Sequence, residues 1–297
     1  MKVDASQPLS TTDGNSNFSI EQDPVEKKNY LKDLWQSWNL IYLTHKYFDE
    51  KHWKLAFCSS SFDFLNKYPS TFLFYRTILF FLTTIDLIHG ITIAHPIQEW
   101  AIYFTHLTLL ITFFSVLFQF LTTCRVNFFR GDKIVPRPYI QLIHMILIII
   151  SLGTGLVVSL VFWSIIYNPL IPAYYPKIIF DHGVLWLLVF IDIFLFTRLP
   201  IYMIDCVPLM IFAFLYGLFT ILIFIFKLNL SKNRIGYVYQ AFDLRQSPLR
   251  VIMQISFFIF LLPIGIIFLL WNFFRLRRSI DVKITNTKQE SNENIVV

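Results

Sequence analysis

Charge is what this chain has least of: 15% of its 297 residues are Asp, Glu, Lys or Arg, against 56% that are hydrophobic. A soluble domain of that length needs a far more charged surface, so a soluble globular class is excluded. Cysteine is nearly absent too. Cys58, Cys124 and Cys206 stand alone, without a CxxC pair or a Cys/His ligand spacing, which excludes a disulfide framework and a structural zinc site. There is no HExxH motif, no desaturase-like histidine box and no visible internal repeat of the kind that marks an inverted-repeat transporter. Residues 1–29 are polar and lack the short apolar core of a cleavable signal peptide, so the first spanning helix is expected to serve as its own insertion signal. The net charge of +6 lies in short loops and tails between apolar segments. It is a topology signal and carries no nucleic-acid signature.

What the chain has in abundance is apolar length. Six segments approach or exceed the ~20 apolar residues that a spanning helix needs, near residues 71–93, 101–123, 141–166, 177–197, 207–227 and 251–274. The expected fold is all-α, a polytopic membrane protein of six transmembrane helices. Residues 1–29 and 279–297 are expected to be disordered tails. Between them lie an amphipathic interfacial segment over 30–70, where Trp and Tyr mix with Lys and Asp, and the six-helix domain over 71–278. Pro263 and Gly265 are expected to kink the last helix. Orientation follows from Lys51, Lys54 and Lys67 before the first span, Arg125, Arg130, Lys133 and Arg137 in the second loop, and Arg275, Arg277 and Arg278 after the last. They favour cytoplasmic termini, in the endoplasmic reticulum or plasma membrane. The fifth loop dissents, with Lys227, Lys232, Arg234, Arg245 and Arg250 on the outer side.

The second segment carries Thr105, Thr108, Thr112, Ser115, Gln119 and Thr122. Steps of three and four put all six on one helix face. Because spanning helices alternate in direction, the end of the first, the start of the second and the start of the fourth share one membrane face. Those ends hold Asp86 and His89, Thr105 and His106, and Asp181 and His182, while His144 belongs to the opposite leaflet. An ionisable side chain in a membrane helix costs about 3 kcal/mol and needs a bundle interior or a hydrated cavity to receive it. Asp86, His182 and Asp192 are of that kind. Thr105 and His182 lie at similar depth. A hydroxyl becomes a nucleophile when a base takes its proton, and an imidazole titrating near neutrality is such a base. Asp86 or Asp181 would orient the ring, with His89, His106 and Asp192 as further pocket candidates. The plain alternative is packing, in which each threonine bonds to its own helix or to a neighbour.

Several stretches add a family resemblance. "AIYFTHLTLLITF" resembles the "YLTxW" helix of the rolling stone-like proteins, and "FDHGVLWLLVFIDIFL" is similar to their "HGxNxxxxxxD" helix, with His182, Gly183 and Asp192 in matching places. "FYRTILFFL" matches at Tyr75 and Arg76, and "GYVYQAFDLRQSPLR" at Tyr239, Asp243 and Pro248. The pattern departs at His106, where Asn or Trp is usual, at Leu185, where Asn is usual, and at Leu244, where Trp is usual. Rolling stone-like proteins are related to the androgen-induced transmembrane hydrolases, which cleave fatty acid esters of hydroxy fatty acids with an intramembrane threonine and a histidine. By motif position the resemblance implies Thr105 and His182 for those roles.

The expected function is thus an intramembrane lipid ester hydrolase, with the bilayer and a fatty-acyl ester as its partners and neither metal nor cofactor required. A non-catalytic multi-pass protein of adhesion, fusion or scaffolding is the alternative, in which Thr105 and His182 only pack. A metal or haem protein is a third class, because His89, His95, His106 and His182 crowd one face.

Overall fold

The computed structural model describes residues 30–38, 68–93, 100, 102–128, 138–166, 176–197, 199, 201–227, 229–231, 234–235, 239, 243–245 and 247–293. A short helix, α1 (Tyr30–Gln36), precedes six long helical runs. They are α2 (Pro69–Ile93), α3 (Phe104–Phe128), α4 (Pro138–Val161, continued by a π turn at Phe162–Ile166) and α5 (Pro176–Ile179 on to Asp192–Phe196). Then come α6 (Cys206–Ile225, entered by a 3-10 turn at Met203–Asp205) and α7 (Pro248–Ser256 on to Leu262–Glu293). Pro69, Pro138, Pro176 and Pro248 each open a run. Proline is at home in the first turn, where its missing N–H would have had no helical partner. Four spans therefore have their starts set by one residue each.

Helices α2, α3, α4, α6 and α7 are long and apolar enough to cross a membrane. The expected fourth span, α5, is not among those five, although at 1.5 Å per residue it covers about 30 Å, the thickness of a bilayer's apolar core. It carries two π turns, Phe180–Val184 and Asp192–Phe196, and the backbone stays right-handed helical through Ile179, Val184, Leu185, Ile191 and Asp192. The second π turn has a visible cause. The Thr197 N–H donates to the Asp192 carbonyl at 2.9 Å, its hydroxyl to the Ile193 carbonyl at 2.8 Å, and Arg277 Nη1 to the Phe194 carbonyl at 2.7 Å. Between them the two turns carry Asp181, His182 and Asp192, and π turns recur at functional sites.

Three features add to the expectation or depart from it. In α7 the irregularity is a π turn at Phe257–Leu261, just before Pro263, whose missing N–H deprives the Ile259 carbonyl of its usual donor. The same helix runs on to Glu293, through the expected disordered tail, because no proline or glycine stands between Ser279 and Glu293 to stop it. Two short strands, Asn229–Ser231 and Arg234–Ile235, pair antiparallel between α6 and α7, a small exception to an all-α fold. The tail over 1–29 and the interfacial segment over 39–67 lie outside the described residues, as does His95.

Burial runs in the sense that a bilayer demands. On α2 the side chains of Phe74, Ile78, Phe81, Ile85 and Ile88 face outward, while Phe72, Arg76, Leu79, Thr83 and Asp86 are buried. Apolar outside and polar inside is the arrangement a lipid solvent permits. Helix α4 is the hub. Every residue from 151 to 159 is buried, as expected of a helix surrounded by others. Small residues make this possible: Leu209 of α6 packs on Gly153 and Trp186 of α5 on Gly155. The Trp186 indole N–H donates to the Leu152 carbonyl at 2.9 Å, which fixes the ring. A Cβ at Gly155 would stand 2.0 Å from Trp186 Cδ1. Gly155→Ala should therefore destabilise the protein by about 1–3 kcal/mol, the range for overpacking, read as a lowered melting temperature in detergent. Gly265, with open space around it, accepts alanine without that loss.

At one end of the bundle α1 packs on α6 and α7. Asp33 of α1 lies 3.4 Å from Arg275 of α7, and the Ile204 N–H donates to the Ser37 carbonyl at 3.1 Å.

Candidate active site

At the other end, where α3 and α5 begin, a cleft opens between α3, α4 and α5. It is narrow, with a cavity volume of about 20 Å³, room for about one water. Thr105, His106 and Asp181 line its end, Thr108, Thr112 and Ser151 its polar side, and Leu109, Val158, Leu185 and Val189 its apolar walls. The hydroxyl stripe of α3 thus faces the interior. Thr108, Thr112, Ser115 and Gln119 are all buried. The stripe ends on buried Thr123, whereas Thr122 turns back to bond the Phe118 carbonyl of its own helix at 2.6 Å.

Thr105 is half-buried, and the phenol of Tyr239, from the α6–α7 connection, is held beside it at the backbone of Phe104. The Tyr239 oxygen accepts the Phe104 N–H at 3.1 Å and is hydrogen-bonded to Tyr216, whose hydroxyl donates to the Ile102 carbonyl at 3.0 Å. Burial raises the Tyr239 pKa above its ordinary value, against the opposing pull of the Phe104 N–H. The phenol therefore keeps its proton at neutral pH. The connection is pinned further along by Arg245, whose Nε and Nη2 each donate to Asp243 at 2.8 Å. Those bonds hold the Asp243 carboxyl below the usual range.

His106 is fixed from two sides. Its ring stacks on Trp100 at 5.0 Å, and Nδ1 lies 2.8 Å from the Trp100 carbonyl. A carbonyl only accepts, so Nδ1 bears the hydrogen and Nε2 the lone pair. His182 sits in the π turn beside Asp181, but its ring packs on Phe162 with centroids 4.1 Å apart and is not part of the cleft lining.

The structure therefore gathers Thr105, His106 and Asp181, sets His182 one residue from the lining, and separates the rest of the candidate set. Asp86 is buried in α2 outside the lining, and His89 is exposed. The inward stripe of α2 passes through Thr83, Asp86 and Gly90, which leaves His89 turned outward. Asp192 is ten residues beyond His182, about 15 Å along α5, and lies at the opposite end of the bundle. There its carboxylate is 3.7 Å from Arg76 Nε, both side chains being almost fully buried. Arg76 also donates through Nη1 to Thr123 Oγ1 at 2.6 Å and lies over the Phe72 ring at 4.4 Å. Sequence reasoning missed this pair as a unit, although an arginine inside "FYRTILFFL" is itself a signal. It also missed Ser151, which the "SLGTG" run of α4 brings within 2.8 Å of the Thr112 hydroxyl.

Among the described residues no group of three His, Cys, Asp or Glu side chains converges as metal ligands. Comparison of the chain with protein-family models, curated proteins and solved structures finds no match.

Proposed function

We propose that this multi-pass membrane protein hydrolyses fatty-acyl esters within the bilayer, with Thr105 as the nucleophile. The observation that carries the reading is the cleft, where a hydroxyl, an imidazole and a carboxylate stand at one end of a space with apolar walls. An acyl ester needs that combination, polar at the carbonyl and apolar along the chain. Thr105 Oγ1 attacks the acyl carbonyl as an imidazole takes its proton. The alcohol leaves with that proton, and water then cleaves the acyl-threonine and restores the hydroxyl. The protonated phenol of Tyr239, held at the Phe104 N–H next to Thr105, is a donor for the developing oxyanion.

Two imidazoles compete for the proton. His182 is the one the family resemblance implies. His106 is favoured by its place in the cleft and by the Trp100 carbonyl, which leaves its Nε2 basic. Alanine at each position separates them in the purified full-length protein, with fatty acid release from branched fatty-acyl esters followed by mass spectrometry. The base variant should lose at least ~10²-fold in rate, the scale of general-base catalysis, while the other stays near wild type. Folded variants that both keep the wild-type rate rule out an imidazole base.

A further inference from the structure

The inward face of α3 poses a problem that ester hydrolysis does not solve. The hydroxyls of Thr108 and Ser115 and both amide atoms of Gln119 are buried without a hydrogen-bond partner among the described residues. Their residues are 6%, 0% and 2% exposed. On α4 the amide of Gln141, 7% exposed, is in the same state. A buried polar group left dry costs roughly 1–3 kcal/mol, and four such residues in one bundle call for a common occupant. The spacing says which. From Thr108 through Thr112, Ser115 and Gln119 to Thr123 the rises along α3 are about 6, 4.5, 6 and 6 Å. One water bridging two oxygens at its near-tetrahedral angle spans roughly 4.5 Å. That matches the shortest rise, and each rise of about 6 Å takes one water with the side chains leaning toward it or two in a row; water both donates and accepts, as amides and hydroxyls require.

The two ends of this row are charged. Thr108 opens into the cleft beside Asp181. Thr123 holds Arg76. We propose that α3 holds a file of internal water joining the cleft to the Arg76–Asp192 pair, and that this file passes protons through the bundle. A lone guanidinium would repel them. Asp192, 3.7 Å away, cancels its charge. The path is independent of ester hydrolysis at Thr105.

The test is proton entry into liposomes that hold the purified full-length protein and a pH dye, driven by a valinomycin potassium potential. Wild type should acidify the lumen faster than the protein-free leak. Gln119→Leu and Ser115→Ala should return the flux to that leak. Thr77→Val, whose hydroxyl only bonds the Leu73 carbonyl of its own helix, should leave it unchanged. Wild-type flux equal to the leak, or unaltered flux in folded Gln119→Leu, overturns the proposal.

Discussion

If Thr105 is the nucleophile, Thr105→Val should leave the bundle folded and remove both ester hydrolysis and covalent labelling by a fluorophosphonate. Valine keeps the branched shape and deletes only the hydroxyl. The expected loss is on the order of 10⁶-fold, as when a hydroxyl nucleophile is deleted from a hydrolase. Thr105→Ser keeps the hydroxyl and should keep part of both signals. Thr108 and Thr112 serve as internal controls, because they lie about 4.5 and 10.5 Å further along α3. Thr112 is also tied to Ser151 at 2.8 Å. Mass spectrometry of the digested, probe-treated protein reads the site directly. Label on another residue, or equal label in the valine variant, would make Thr105 one more packing threonine. That outcome would favour the non-catalytic reading, in adhesion, fusion or scaffolding.

The crossings were legible because apolar length and helix period are local properties. The face of α3 was legible for the same reason, since steps of three and four need no knowledge of neighbours. Alternation of direction also sufficed to bring Thr105 and Asp181 to one cleft. What could not be read were rotations and depths of one helix against another. Asp86 and His89 are three residues apart, yet one is buried and the other exposed, because the α2–α3 contact selects which flank of the stripe turns inward. Asp192 was grouped with His182 by motif, and ten residues of helix carry it to the other end. The second π turn of α5 is held in part by Arg277 reaching across from α7, a partner distant in sequence. Tyr239 shows the same limit: its likeness to a family position named the residue, and only the fold shows its phenol at the Phe104 N–H, next to Thr105.

Asp192→Ala should be the most damaging single change to stability. It strands Arg76, 1% exposed, against Thr123, the Gln119 carbonyl and the face of Phe72. An uncompensated charge at such depth costs about 3–5 kcal/mol, enough to deplete the folded protein in membranes. Arg76→Met alone should do comparable harm from the other side, by leaving the fully buried Asp192 carboxylate without its cation. The double variant Arg76→Met with Asp192→Leu removes both charges and fills the space with apolar atoms, so most of the loss should return. Thermal unfolding of the four proteins in one detergent closes the cycle. Single variants that melt with the wild type would mean that the two groups do not depend on each other. A stable double variant has a further use, because it lacks both charges at the inner end of the α3 water file. If that file carries protons by way of the pair, this variant should be folded and yet fail to conduct. Stability and conduction, lost together in each single variant, would then come apart.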